Sequence, residues 1–153
     1  MTLWEDEYKA IIEALPELKM TLPNITVSDT LIIYGSKRKL VVIPTGTGHS
    51  NGDMVAFLPE DNIIFMSDEL FVKCHPYFGD GDPESWKNNL KDLITLKPET
   101  VVPGHGPVGD INSLYMMVDY IETLNDLVKR EIESGTDESK VMNIPVPVKF
   151  SDY

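Results

Sequence analysis

Cysteine is almost missing from this chain. Cys74 stands alone among 153 residues, so neither an intrachain disulfide nor a cysteine-based zinc site can form. Basic residues are scarce too, with 13 Lys and Arg against 25 Asp and Glu and a net charge of -12. A surface of that sign repels phosphate backbones and anionic membranes, and the short run Lys37-Arg38-Lys39 does not offset it. Neither nucleic acid nor a membrane is therefore expected as a partner. No apolar run approaches the ~20 residues of a membrane span. The opening Met1-Thr2-Leu3-Trp4-Glu5-Asp6-Glu7 is acidic where a secretory signal would be basic and then apolar, so the expected compartment is the cytoplasm. Repeats and low-complexity tracts are absent as well.

What is present suits one globular domain. Hydrophobic residues make up 42% and charged residues 25%, and a chain of this length can bury a real core. Trp4, Tyr8, Ile11, Ile12 and Leu15 recur at helical spacing before Pro16, so residues 1–20 read as an N-terminal amphipathic helix that packs on something. Ile25-Thr26-Val27 reads as a short strand. Leu31–Tyr34 and Leu40–Ile43 form a hairpin around Gly35–Arg38, and Met54–Leu58 and Asn62–Met66 a second one around Pro59-Glu60-Asp61. These strands are nearly continuous apolar runs, which predicts a sheet covered on both faces.

A loop rich in Gly, Pro and Asp follows over residues 75–83. In it, Gly79-Asp80-Gly81-Asp82 reads as a turn plus helix cap rather than a calcium loop, because the further acidic ligands are missing. Asp82 caps a helix with Pro83 at its first position and Trp86, Leu90, Leu93 and Ile94 along its stripe. Thr100-Val101-Val102 is a strand. The stripe from Ile111 to Ile132 is the longest helix, ended by Gly135. Residues 136–153 read as a tail of loop or extended chain on the body. The order of elements predicts an α/β (α+β) layer, one mixed β-sheet with flanking helices.

Chemistry can sit in few places, because only three histidines exist. His49 lies in the Gly-rich stretch Thr45-Gly46-Thr47-Gly48-His49-Ser50-Asn51-Gly52-Asp53, and His105 in the turn Pro103-Gly104-His105-Gly106-Pro107. Asp68 follows the strand that ends at Met66. All three stand at strand ends, where α/β folds place their chemistry, and imidazole with carboxylate suits zinc or another first-row metal. A histidine beside glycines also suits a plain turn, and an aspartate after a strand suits a cap, so spacing alone leaves both readings open. His75, next to Cys74, reads as loop packing.

Residues 40–108 resemble the C-terminal half of the metallo-β-lactamase superfamily. Gly48-His49-Ser50 is similar to its Gly-His-Ser/Thr ligand loop, and Asp53–Pro59 to the strand after it. Phe65-Met66-Ser67-Asp68-Glu69-Leu70-Phe71 resembles its Phe-Thr-Gly-Asp-Leu-Leu-Phe segment, with Ser67 in place of the usual glycine. Val101–Pro107 resembles its closing Val-Pro-Gly-His-Gly, and residues 75–86 the linker of some hydrolase-like members.

The resemblance implies that His49 binds a first metal, that Asp68 bridges two metals and that His105 binds the second, with Asp53 a candidate to support a ligand from behind. It implies a metal-dependent hydrolase fold and zinc as cofactor. The family's His-x-His-x-Asp-His motif has no counterpart here, so one zinc ion or none is expected, not a full two-metal site. Residues 1–153 then read as a single truncated domain, half of an αββα sandwich, not expected to hydrolyse substrate alone. Half a sandwich leaves an apolar sheet face for self-association, for a complementary domain or for the N-terminal helix, with Ile32, Tyr34, Val42, Val55, Phe57 and Ile64 as candidate lining. A non-catalytic interaction module, or an incomplete gene product, are the competing readings. No substrate is indicated.

Overall fold

The computed structural model describes residues 3–153, with side chains from residue 5 onward, so the side chain of Trp4 lies outside the described ones. Helix α1 (Leu3–Ala14) is followed by strands β1 (Leu31–Tyr34), β2 (Lys39–Thr47), β3 (Asn51–Leu58) and β4 (Ile63–Phe65). Helix α2 (Pro83–Ile94), strand β5 (Thr100–Val102), helix α3 (Ile111–Glu133) and the one-turn α4 (Glu138–Val141) complete the chain. The five strands form one sheet in sequential order β1-β2-β3-β4-β5. Neighbours are antiparallel except β4 and β5, which are parallel. The α/β reading with one mixed sheet is what the structure shows.

Both hairpins form as their turn chemistry predicts. Asp82 caps α2 by accepting from the backbone N–H groups of Glu84 and Ser85, with Pro83 at the first position, where the missing N–H costs nothing. Residues 25–27 are not a strand. β-Branched residues favour extended chain only where a neighbouring strand pairs with them, and none does here. The tail is not extended either. It folds into α4 and a 3-10 turn at Val148–Phe150, which buries Phe150 against Tyr120 of α3, ring centroids 4.7 Å apart.

The register separates two faces. Val55, Phe57, Ile64 and Val101 share one face, and the core forms there against Trp86, Leu90 and Leu93 of α2 and Leu114, Met117 and Ile121 of α3. Val42, Ala56, Phe65 and Val102 lie in one row of the other face, with Met54 and Leu58 beside them. No residue of that second set is buried, and Met54 and Phe65 are exposed. The expectation of a sheet covered on both faces is thus corrected: within the described residues one face is covered. The candidate lining changes as well. Val55, Phe57 and Ile64 point to the helices, Ile32 and Tyr34 share their side at the β1 edge, and Val42 alone of that set belongs to the open face.

Helix α1 does not fill the gap. Every residue from 5 to 20 is exposed, Tyr8, Ile11, Ile12 and Leu15 of its apolar stripe included, so the stripe expected to pack finds no cover among the described residues. None of the described helices is long and apolar enough to cross a membrane.

Candidate metal centre

Strand direction brings the candidate donors to one edge of the sheet. β2 and β4 are each antiparallel to β3, and β5 is parallel to β4, so β2, β4 and β5 run the same way. Their C-terminal ends therefore share an edge. His49 follows β2, Asp68 follows β4 in a 3-10 turn at Ser67–Glu69, and His105 follows β5.

Two of the three meet. Asp68 Oδ1 stands 3.4 Å from His105 Nε2, with both side chains about half exposed. The turn that carries His105 is tied to the segment after Asp68: Gly104 N–H donates to the Ser67 and Leu70 carbonyls, and Val72 N–H donates to the His105 carbonyl. Gly104 is required by this closeness, because a β-carbon there would lie 2.4 Å from Asp68 Oδ1 and 2.5 Å from the Ser67 carbonyl oxygen. Ser67 sits at φ 50°, the left-handed region, which explains in backbone terms why a glycine is the usual residue in the resembled segment.

His49 is held separately. Its ring meets Trp86 edge-on at 5.4 Å and is tilted against Phe71 at 5.6 Å, and Phe71 also stacks on His105 at 4.7 Å. One phenyl ring thus touches both imidazoles. Among the described residues no three His, Cys, Asp or Glu side chains are gathered closely enough to hold a metal ion. Asp53 accepts hydrogen bonds from the Ser50 backbone N–H at 2.8 Å and hydroxyl at 2.5 Å, which steadies the residue after His49. His75 bonds through Nδ1 to the Tyr120 hydroxyl at 2.9 Å and packs near Tyr153, away from the others.

The pair Asp68–His105 brings together two donors of the kinds zinc takes. With bonds of ~2.0–2.1 Å to oxygen and nitrogen, two corners of a tetrahedral site lie ~3.3 Å apart. The observed 3.4 Å is long for a charge-assisted hydrogen bond and matches that edge. Both groups remain partly open to solvent, as an ion with a free position requires.

Sequence reasoning missed Glu69. It is fully buried, with Met66, Leu70 and Phe71 near it in the chain also buried, and is the one buried charged-type side chain among the described residues. Burial pushes its pKa up to about 7, countered in part by the Thr45 hydroxyl bond and reinforced by the charge of Asp53. Thr45 Oγ1 donates to Glu69 Oε1 at 2.9 Å, and Asn89 Nδ2 reaches the same oxygen at 3.4 Å. The available signal was a glutamate standing where the resembled segment Phe-Thr-Gly-Asp-Leu-Leu-Phe has a leucine.

Residues 2–105 match the sequence profile described as the metallo-beta-lactamase superfamily. A type 2 metallo-beta-lactamase of Pseudomonas aeruginosa is 35% identical over 78 residues, 48% of this chain and 31% of that protein. A hydroxyacylglutathione hydrolase of Bartonella henselae is 30% identical over 99 residues, 62% of this chain and 38% of that protein. Among solved structures, a metallo-beta-lactamase from Pontibacter korlensis superposes with a TM-score of 0.61 at 28% identity, covering 72% of this chain and 54% of its own. The chain spans less than half the length of the curated relatives it matches. With the profile covering most of its residues and the sheet superposing on solved members, the chain belongs to the metallo-beta-lactamase superfamily.

Proposed function

We propose that this chain provides one side of a metal-dependent hydrolytic centre, with Asp68 and His105 as adjoining donors to a zinc ion and His49 as a third donor from the neighbouring turn. The observation that carries the reading is the 3.4 Å spacing of Asp68 Oδ1 and His105 Nε2 at the shared edge. A divalent ion there would activate water for attack on an ester, thioester, amide or phosphoester. The chain's own residues do the positioning. Phe71 fixes the plane of the His105 ring by stacking, Trp86 bounds His49, and the Gly104 backbone ties the two donor-bearing turns together. Rings held in this way lose little entropy when they bind, which is what preorganisation means energetically.

Two or three donors do not make a binuclear site, and the His-x-His-x-Asp-His donors are absent from these 153 residues. The remaining donors come, in this reading, from a complementary segment. The open sheet face supports it: Val42, Met54, Ala56, Leu58, Phe65 and Val102 lie on one face, none of them buried. The solved relative extends over about twice the matched length. A second β-sheet laid on that face, ~10 Å away, would cover it.

Equilibrium dialysis against zinc tests the centre. One zinc per chain, lost in Asp68→Ala and in His105→Ala, is the expected result; a chain that takes up no zinc, or keeps it in both variants, overturns the reading. Light scattering tests the face. Assembly with a segment carrying the missing motif supports the complementary sheet, whereas a stable homodimer would place a second copy there instead.

A further inference from the structure

We propose that Glu69 is a positioning residue whose buried carboxylate holds the Gly48–His49 turn against the segment that carries Asp68. Its effect on metal affinity rests on the function proposed above; its effect on the placement of His49 does not.

A carboxylate taken fully out of water is costly unless something in the fold uses it. Here both hydrogen bonds it receives come from other elements, β2 and α2, rather than from its own segment. Thr45, at the end of β2, donates to Oε1 at 2.9 Å. Asn89 of α2 approaches the same oxygen at 3.4 Å and also donates to the Thr47 carbonyl at 3.0 Å. Glu69 is thereby linked to the two residues that flank the turn's approach, 45 and 47.

The turn itself rests on the carboxylate. A β-carbon at Gly48 would fall 2.2 Å from Glu69 Oε1 and 2.9 Å from Cδ. The backbone just before His49 is therefore pressed against this side chain, and only a glycine allows the contact. The backbone of Glu69 acts on the same histidine by a second route, one that any residue at this position would keep. Its carbonyl accepts the Trp86 indole N–H at 2.9 Å, and the Trp86 ring meets the His49 ring at 5.4 Å. The Glu69 side chain thus bounds His49 through Gly48, and its main chain does so through Trp86.

The local geometry explains how adjacent residues serve different donors. Residues 67–69 form a 3-10 turn, in which successive side chains diverge by ~120°. Asp68 points to His105, and Glu69 points inward to Thr45 and Gly48. One step along the chain couples the two donor-bearing turns. Oε1 takes both hydrogen bonds, from Thr45 and Asn89, and Oε2 has no hydrogen-bond partner, so the carboxylate's contacts are concentrated on the oxygen that faces the turn.

The test compares Glu69→Gln, which keeps shape and acceptor, with Glu69→Leu, which keeps bulk alone. The readout is the set of three imidazole resonances in the metal-free protein, followed by the zinc dissociation constant from chelator competition. Glu69→Leu should displace the His49 resonances and leave those of His75 unmoved, and Glu69→Gln should restore them. Zinc affinity should fall about 10-fold or more in Glu69→Leu, the range seen when a group behind a ligand is lost, and recover in Glu69→Gln. Unchanged His49 resonances in folded Glu69→Leu overturn the proposal, as does a Glu69→Gln variant that is no better than Glu69→Leu. Should Glu69→Leu fail to fold, Thr45→Val removes one bond to the carboxylate and must shift His49 in the same direction, or the proposal falls. A wild-type chain that binds no zinc overturns the metal reading and leaves the imidazole spectra to decide this one.

Discussion

The two faces of the sheet are built from the same kinds of residue and have opposite fates. Ile64 is completely buried under α2 and α3, and its neighbour Phe65, larger and equally apolar, is 42% exposed. Val101 and Val102 of β5 divide the same way, the first buried and the second half-buried. A strand that is apolar at consecutive positions serves a sheet with a layer on each side. Among the described residues one layer is present, and the second apolar face is the one that the proposed complementary sheet would cover. At the ~25 cal/mol gained per Å² of apolar area removed from water, a covering sheet would gain a substantial gross driving force.

Substitutions at the two faces give the largest expected difference. Ile64→Ala should cost ~2–5 kcal/mol, the range for truncating a core aliphatic, and Phe65→Ala less than about 1 kcal/mol in the isolated chain; urea unfolding of the two variants checks this. Equal losses would break the comparison by showing that the second face is covered after all. Phe65→Lys sharpens it: this change should abolish association with a complementary sheet while barely altering the unfolding midpoint of the chain by itself.

Smaller effects arise at the edge that gathers the donors. Gly48→Ala should destabilise by ~1–3 kcal/mol, as overpacking does, because the new methyl meets the Glu69 carboxylate; thermal unfolding reads the loss. Ser67→Gly should raise stability by roughly 1 kcal/mol, by relieving a left-handed residue at φ 50°. The pH dependence of stability is the mildest probe. Glu69 has its folded pKa raised to about 7, well above its value in the unfolded chain. Between those values the folded state binds more protons, so stability should decline as pH rises through that window and level off above it. Glu69→Gln should remove that slope, and melts at pH 5 and pH 8 measure it.

Much of this was legible from residue order alone. The cap at Asp82, both hairpins, the long stripe of α3 and the strand-end placement of His49, Asp68 and His105 all depend on contacts between near neighbours. Three features depended on distant ones. Residues 25–27 carry β-forming side chains but find no strand to pair with. The faces of β2 to β5 follow from cross-strand register, which an unalternating apolar run does not encode. Glu69 is explained by Thr45 and Asn89, 24 and 20 positions away, partners that no local pattern announces. The stripe of α1 finds no cover among the described residues for a related reason: an apolar stripe shows that a helix can be covered, not that its own chain covers it.

The most direct test of the centre is a zinc titration followed on the three imidazoles of the wild-type chain. His49 and His105 should shift together and saturate at one equivalent, with His75, hydrogen-bonded to Tyr120, left in place. A titration that moves His75, or that moves neither of the other two, would contradict the assignment of this sheet edge as a metal centre.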